Sequence, residues 1–498
     1  MSADLILYHG LSLLGSPADA VAVRCGRILA VGRSEEVLRL RGPGTELVDL
    51  KGRPFLPGFF DAHTHFLKTG LDRTFYVDLS QVSSLPEALD MLAQAARTRP
   101  EGWVVARGWD ESTWPERRYL ERRDLDRIVP KQPACAVRVD GHLVVANTLA
   151  LARCVHPEGE LVDRGRGHLW EEAAEDLLAC AKPDQEMLVE AAAAASRYAA
   201  SLGITAVADM GGPDVLSVFQ LAEDRGLLTT RVFLYLPVEK LDHLLGLGVH
   251  RGFGTEFVRV QGVKAFVDGS IGARSAAVSL PYADGGGQGQ LLLSRDELSH
   301  ILRRADEAGL QVAIHAIGDL AIEEAISACE LAGVGPEGRH RIEHLELPTP
   351  EQLDRMARLG LVASMQPNFV ARWSGPGRMY EARLGRDRDQ TIDPHAWVAA
   401  RGIPLAFGSD GMPMGPLQGL PGAVSPPYEA QRLPLPAALR AYTEGSAHAA
   451  FAEGQLGAVA PGKKADLVVL SADPREVPWD EVQVDMTFLG GKLVYEAP

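Results

Sequence analysis

The pattern of apolar and polar positions divides the chain into two β-rich ends and a long middle zone. Short apolar runs separated by glycine turns occupy residues 4–32, and the same pattern returns at 466–496. Runs of this kind predict β-strands and hairpins. We therefore expect residues 1–55 and 456–498 to combine into one small β domain of the sandwich type.

In the middle zone, apolar β-type runs alternate with helical patterns. Ser294 stands three residues before Glu297, which is the spacing of a helix capping box. Strands that are buried on both faces and separated by helices favour a parallel sheet, and eight of them favour a (β/α)₈ barrel. The predicted fold class is therefore α/β, with a TIM-type barrel over residues 56–455. The eight runs cover residues 57–65, 203–210, 231–236, 258–269, 311–319, 341–346, 361–368 and 403–410.

One connection in this pattern is too long for a single helix. Residues 66–203 separate the first two runs and contain strand-like pieces such as 103–109 and 134–139. A connection of this length contains secondary structure of its own. We predict an insertion after the first barrel strand, over about 70–185.

Polar side chains mark the carboxyl ends of several predicted strands. His63 and His65 stand two residues apart, so both face the same side of a strand. In a barrel these ends meet at one mouth, and imidazole and carboxylate groups are common zinc ligands. The sequence therefore predicts a metal site at the mouth. The polar residues at these ends are His63, His65, Lys264, His315, His344 and Asp410, of which the histidines and Asp410 carry groups that bind metals directly.

The composition of the chain indicates which classes of binding partner and which cellular compartment to expect. Acidic residues outnumber basic ones, 66 to 50, and the net charge of −16 disfavours nucleic acid and anionic membranes. No apolar run is long enough to span a bilayer, and the first apolar stretch, which contains Asp4, does not resemble a signal peptide. The five cysteines are scattered without a CxxC pair, which is typical of a reducing compartment. We expect a cytoplasmic protein with a small-molecule substrate and no nucleic-acid or membrane partner. Assembly into a homo-oligomer is left open by the sequence.

The order of the motifs resembles the amidohydrolase superfamily, and three segments resemble its amidohydrolase-3 branch, which includes N-substituted formamide deformylase-like proteins. The superfamily motifs are PGFFDAHTH, VKAFVDGS, HAIGD, RIEH, SMQPN, GSD and PGKKADLVVL. The branch motifs are GWDES.W, R.DGH and DGSIGARSA. The resemblance implies a metal-bearing barrel joined to a small β domain built from both termini.

The resemblance also implies roles for the candidate ligands. His63, His65 and Asp410 would bind the more buried ion. Lys264 would carry CO₂ as a carbamate that bridges two ions, because an ammonium group has no lone pair to offer a metal. The cofactors implied are one or two divalent ions, zinc being the expected one, and CO₂. A buried lysine paired with Asp268 is the alternative for Lys264. The second ion would be bound by His315 and His344.

The activity implied is that of a metal-dependent hydrolase. A metal-bound hydroxide would attack a C–N bond of amide, N-acyl or N-formyl type in a small molecule, with Asp410 moving the proton as the catalytic residue. A deaminase of a heterocycle is the alternative within the superfamily. A non-catalytic scaffold of the same fold is the third hypothesis, which the presence of all six ligand positions disfavours.

Four further residues are candidates for contact with the substrate. His142 lies in the R.DGH segment and Glu171 in a segment similar to a family motif, although a structural histidine and a solvated helix glutamate fit the same patterns. Trp109 is predicted near the barrel mouth, where an aromatic wall would suit an apolar substrate group, although an aromatic residue that fills a core fits the same pattern. Arg274 fits either a substrate-binding or a structural role.

Overall fold

The computed structural model of the protein describes residues 2–15, 17–212 and 214–498. The chain forms two compact units, of which the first comprises Met1–Phe66 with Ser196–Pro498 and the second comprises Leu67–Ala195. Among the helices in these described parts of the chain, none combines the length and the apolar character that a bilayer crossing requires.

The first unit contains eight parallel strands in sequential order, which confirms the predicted barrel architecture. Each strand pairs in parallel with the next one along the chain, as in repeated βα units. The strands are β1 (Phe59–Thr64), β2 (Ile204–Asp209), β3 (Arg231–Pro237), β4 (Val258–Phe266), β5 (Gln311–Ala316), β6 (Arg341–His344), β7 (Val362–Met365) and β8 (Leu405–Phe407).

The first and last strands meet just beyond β8. The carbonyl oxygen of His63 accepts the backbone N–H groups of Ser409 and Asp410, at 3.0 and 2.7 Å. The buried carboxylate of Asp61 accepts the N–H of Ser409 at 3.0 Å and its hydroxyl at 2.5 Å. These bonds hold the two edges of the sheet together, so the barrel is nearly closed.

Helices follow the barrel strands, as the sequence pattern predicts. Ser294 caps the helix Arg295–Glu307 and forms the expected capping box with Glu297, and Thr349 forms a second box at the next helix but one. The helices of the first unit are Ser34–Val37, Val215–Asp224, Leu241–Gly246, Arg295–Glu307, Asp319–Ala332, Pro350–Leu359, Pro367–Trp373, Met379–Leu384, Arg386–Asp389, His395–Ala400, Pro416–Val424, Leu435–Arg440 and Ser446–Ala449.

Part of the core is built from alternating residues of neighbouring barrel strands. Ala206 and Ala208 of β2 pack with Phe233 and Tyr235 of β3, because side chains two apart on a strand face the same way. The rings of Phe60 and Phe233 lie 5.0 Å apart between centroids. Apolar packing at this level leaves the strand ends for polar groups.

The two ends of the chain contribute two further sheets to the first unit. A four-stranded sheet has the order Arg27–Gly32, Ala20–Arg24, Leu5–Tyr8, Glu46–Asp49. A five-stranded sheet has the order Leu11–Ser12, Pro54–Pro57, Leu467–Leu470, Val484–Leu489, Lys492–Glu496. Residues of both sheets share one buried cluster that includes Leu7, Val21, Phe55, Leu467 and Phe488. The domain boundaries inferred from the sequence stay a prediction.

The second unit has its own sheet and core. Its six strands have the order Val162–Asp163, His168–Trp170, Leu143–Ala146, Ala134–Arg138, Val104–Trp109, Tyr76–Asp78. Leu85–Thr98, Arg122–Ile128, Thr148–Leu151 and Glu171–Cys180 are helices within it. Two further helices, Phe66–Thr74 and Gln185–Ser201, lead into and out of the unit.

Candidate metal centre

All six ligands predicted from the sequence lie within three residues of the carboxyl end of a barrel strand. Parallel strands that start at one end of the barrel necessarily bring these positions to the same mouth. The positions are His63 on β1, His65 directly after it, Lys264 on β4, His315 on β5, His344 on β6 and Asp410 after β8.

Three of these residues form a compact group of possible metal donors. One donor atom from each of His63, His65 and Asp410 lies within 4.8 Å of the other two. Asp410 Oδ1 lies 3.5 Å from His63 Nε2 and 3.1 Å from His65 Nε2. Asp410 also adopts a left-handed backbone conformation with φ of 55°. Such conformations cluster at functional sites because the surrounding fold has to enforce them.

The other two histidines adjoin this group. The ring centroid of His344 lies 4.7 Å from that of His63 and 4.5 Å from that of His315. His315 and His344 are buried, whereas the side chain of His65 is 39% exposed. The barrel thus arranges four imidazoles in a continuous series that opens towards solvent at His65.

In two of these imidazoles, hydrogen bonds determine which ring nitrogen is available to bind a metal. His65 Nδ1 lies 3.0 Å from the carbonyl oxygen of Met210, and His344 Nδ1 lies 2.7 Å from Gln366 Oε1. Because a carbonyl oxygen can only accept, Nδ1 donates its proton in both cases. Nε2 therefore retains the lone pair that a metal requires.

His315 has a different hydrogen-bond pattern. Its Nε2 lies 3.0 Å from the carbonyl oxygen of Gly269 and 3.6 Å from Asp268 Oδ1. The nitrogen that carries the free lone pair in this arrangement is therefore Nδ1. The ring of Phe266 lies 5.0 Å from that of His315, and its side chain is 46% exposed. An accessible aromatic surface thus borders the imidazole series.

A buried carboxylate that the sequence analysis did not single out orients His63. Glu343 Oε2 lies 2.5 Å from His63 Nδ1, and both side chains are buried. Arg341 balances the charge of Glu343, with Nε 2.5 Å from Glu343 Oε1, and also donates to Ala62 O and Ser364 Oγ. The signal available in the sequence was a pair of charged residues two apart inside the apolar strand of the RIEH motif.

The protonation states of the buried groups suit a metal ion. Burial lowers the pKa of His315 to about 3 and holds the pKa of His344 well below its usual value. Burial opposes ionisation of Asp410, but its contacts with the imidazoles of His63 and His65 outweigh burial and hold the pKa of this carboxyl well below its usual value. Neutral imidazoles and an ionised carboxylate are the forms that bind divalent ions. The donor set therefore fits such an ion.

Lys264 is buried beside this group, and within the described ranges its Nζ has no hydrogen-bond partner. Burial lowers the pKa of this amine to about 8. Asp268, the alternative partner inferred from the sequence, is engaged by the backbone N–H groups of Ala277, Ile317 and Gly318 at 2.9–3.0 Å. A buried amine with no partner and a lowered pKa fits the chemistry of carbamate formation, which needs the neutral amine.

The candidate substrate residues are described by their own contacts. Arg274 is bound through two nitrogens to Asp284, at 3.0 and 2.9 Å, which fits a structural role. In the second unit, His142 and Glu171 are exposed and pair with each other at 3.1 Å. Trp109 is a correction: it is fully buried in the core of that unit and donates its Nε1 hydrogen to Ala136 O at 3.1 Å, so no substrate can lie against it in this structure.

Comparisons with known proteins agree with this architecture. The putative amidohydrolase YtcJ of Bacillus subtilis is 30% identical, with 97% of each chain covered. The N-substituted formamide deformylase of Arthrobacter pascens is 28% identical, covering 97% of this chain and 95% of that one. An uncharacterised metal-dependent hydrolase from Pyrococcus furiosus superposes with a TM-score of 0.83 at 30% identity, covering 94% of this chain and 99% of that one.

The family assignment rests on nearly the whole chain. The family model described as "Amidohydrolase family" matches residues 46–495 of this sequence, which span the barrel, the second unit and the C-terminal strands. The matched range contains all six strand-end ligands. Since sequence, fold and the strand-end cluster agree, this chain belongs to the amidohydrolase family, in its amidohydrolase-3 branch.

Proposed function

We propose that this chain is a metal-dependent hydrolase that cleaves a C–N bond of amide, N-acyl or N-formyl type in a small molecule. The observation that carries the proposal is the contact of the Asp410 carboxylate with both His63 Nε2 and His65 Nε2 at a solvent-accessible barrel mouth. This group combines metal-binding nitrogen atoms with a carboxylate able to exchange protons.

His63, His65 and Asp410 would hold the first divalent ion, with zinc as the proposed metal because imidazole and carboxylate ligands suit it. His315 and His344 would hold a second. When bound, a divalent cation polarises a carbonyl group and lowers the pKa of water towards ~7. In the proposed reaction, the residues of the chain orient the water and the substrate around that chemistry.

Lys264 would complete the site as a carbamate formed with CO₂. The neutral amine attacks CO₂ and loses a proton, so a buried cation becomes an anion with two oxygen donors. The absence of a hydrogen-bond partner at Nζ among the described residues and the pKa of about 8 support this modification. An anion at this position would replace the unfavourable burial of an unpaired ammonium group.

Asp410 would act as the proton carrier. Its carboxylate takes a proton from the attacking water and returns it to the nitrogen of the leaving group as the C–N bond breaks. His65 is the exposed neighbour of this carboxylate, so substrate approaching from solvent reaches Asp410 on that side. Glu343 would hold the His63 ring in place while the charge of Asp410 changes.

The exposed ring of Phe266 would contact the substrate. It lies beside His315 and two residues beyond Lys264, with Lys264 Nζ 5.1 Å from its ring centroid. An apolar group of the substrate would cover this ring and lose contact with water. His142, Glu171 and Arg274 remain proposed substrate-binding residues, whereas Trp109 does not.

The alternative activity is hydrolytic deamination of a heterocycle, which would use the same residues at a ring C=N bond. Amide-type cleavage is preferred because one relative that matches nearly the whole chain is an N-substituted formamide deformylase. A cytoplasmic location and a small-molecule partner are part of the proposal. A scaffold without activity is disfavoured by the retention of every ligand position.

The test is a substrate screen of the zinc-loaded protein. N-formyl amines, N-acyl amines, acyl amino acids and aminated heterocycles would be offered separately, with release of amine, formate or ammonia as readout. A double variant, His63→Ala with His65→Ala, serves as the matched control. Turnover of an amide-type compound by the wild type alone supports the proposal. Ammonia release confined to heterocycles would replace it with the deaminase, and inactivity of fully metallated protein on all classes would refute it.

A further inference from the structure

A second group of buried oxygen atoms lies beyond the strand end that carries His344. Glu346 follows this strand, Asp393 precedes the helix His395–Ala400, and Tyr380 belongs to the helix Met379–Leu384. Each of the three is at most 3% exposed. Among the described residues, Asp393 has no hydrogen-bond donor at either carboxylate oxygen, and Glu346 Oε2 has none beyond the neighbouring hydroxyl of Tyr380.

These residues are neighbours in space. The backbone N–H of Asp393 donates to the carbonyl oxygen of Glu346 at 2.7 Å. Tyr380 packs in one buried cluster with Leu347 and Ile392, which are the chain neighbours of Glu346 and Asp393. The unpartnered oxygens therefore belong to one buried pocket of polar atoms and are not scattered singly through the core.

The charges in this pocket have no protein counter-ion. Asp393 experiences the negative charges of Glu346 and Asp389, and Glu346 experiences those of Asp268 and Asp410. Neither Glu346 nor Asp393 forms an ion pair with a side chain in the described ranges.

The nearby Asp389 is a buried carboxylate whose oxygens do accept hydrogen bonds. It accepts the Ser374 hydroxyl at 2.9 Å, the Gly375 N–H at 3.1 Å and the Tyr428 hydroxyl at 2.9 Å. Asp393 has no such donors although it is equally buried. Leaving a buried polar group without a partner costs about 1–3 kcal/mol, and a charged one costs more. A ligand that interacts with several oxygens at once would remove this cost.

We propose that Asp393, Glu346 and Tyr380 bind a hard divalent cation such as Ca²⁺ through oxygen atoms that are not among the ligands of the histidine centre. The donors are oxygen atoms only, which Ca²⁺ prefers and which distinguish this pocket from the imidazole-rich centre. Two carboxylates match the charge of a divalent ion. The bound ion would tie the segment after His344 to the segment before the helix His395–Ala400, and so stabilise one wall of the barrel mouth.

The proposal is tested on full-length protein whose histidine centre is already saturated with zinc. Calcium is then added, and the bound calcium per chain and the melting temperature are measured. We expect about one retained calcium per chain and a rise in melting temperature of about 2–5 °C at saturation. Asp393→Asn and, independently, Glu346→Gln should abolish both effects.

Asp389→Asn is the matched control, because it removes a buried charge from the same region but not from the proposed ligands. It should lower the melting temperature through lost hydrogen bonds yet keep the rise that calcium produces. The inference is overturned if wild-type protein retains no calcium and shows no shift, or if Asp393→Asn and Glu346→Gln respond like the wild type. No turnover is measured, so the result is independent of the proposed hydrolase activity.

Discussion

The carboxylate of Glu343 lies 2.5 Å from Nδ1 of His63, and both side chains are shielded from solvent. This contact assigns the proton of the imidazole to the Glu343 side and leaves Nε2 directed towards Asp410. A carboxylate behind a ligating histidine fixes the ring and increases its basicity. The position of the proposed metal therefore depends on a residue that would not itself touch the ion.

Replacing Glu343 with Gln should weaken zinc binding by about 10–100-fold. Gln keeps an acceptor oxygen but removes the negative charge, and it leaves Arg341 buried without its partner. The dissociation constant would be measured by chelator competition, with the melting temperature of the zinc-free protein recorded in parallel. Glu323→Gln, which alters a more exposed carboxylate paired with Arg355, is the control. Unchanged zinc affinity in a folded Glu343→Gln protein would contradict the orienting role.

Removal of two imidazoles tests the metal centre itself. The double variant His63→Ala with His65→Ala should lose bound metal, because two of the three close donors disappear. Elemental analysis of protein purified without chelator measures this, and His300→Ala, an exposed histidine of a barrel helix, is the control. Equal metal content in the double variant and the wild type would place the metal elsewhere.

Asp410→Asn separates proton transfer from metal binding. Asn still offers an oxygen to the metal but cannot accept and return a proton at neutral pH. We expect kcat to fall by ~10²–10⁴ at saturating zinc, the usual contribution of general acid–base catalysis. Metal content would be determined on the same sample. A fully metallated variant that stays within about tenfold of the wild type would leave the proton carrier unassigned.

Lys264→Ala should lose metal and activity together if the carbamate bridges two ions. Short carboxylic acids added with metal should restore part of both, since they can occupy the volume that the side chain vacates and supply its two oxygens. Carbon-13 NMR of protein incubated with labelled bicarbonate would detect the carbamate directly in the wild type. Full metal occupancy without that signal would favour an unmodified lysine.

Phe266→Ala should lower kcat/KM for substrates with a large apolar group by about 10-fold, corresponding to ~1.4 kcal/mol of lost apolar contact. Substrates with a methyl group in its place should be affected much less. Because the ring is half exposed, the melting temperature should stay close to that of the wild type. An equal loss for both kinds of substrate would indicate that the ring supports the fold of the site and does not contact the substrate.

The strand-end positions of the candidate metal ligands could be predicted from the sequence because they follow from periodicity. Most barrel strands are apolar runs, and a polar residue at the carboxyl end of such a strand lies at the mouth of the barrel. His63, His315 and His344 all satisfied this rule. The same reasoning does not extend to Glu343, because this residue lies inside a buried strand. Its orienting role depends on contact with His63, which lies 280 positions earlier in the chain.

Trp109 is a residue whose role the sequence pattern could not determine. Its sequence context suggested an exposed wall, yet the side chain is buried against Trp114 and hydrogen-bonded to Ala136. An aromatic residue beside a motif fits a core and a binding surface equally well, because both reward the burial of a large apolar area. Only the three-dimensional packing of the second unit distinguishes these two roles.

The hydrogen bonds between Asp61 and Ser409 also determine when the candidate metal centre can form during biosynthesis. These two residues are separated by 348 positions in the chain, and their contact brings Asp410 to His63. Contacts of such long range form late in folding, because the entropy of closing the intervening chain must be overcome first. A nascent chain still lacking β8 cannot assemble the three-donor group. Metal capture should therefore follow synthesis of nearly the whole chain, so that retained zinc reports completed folding.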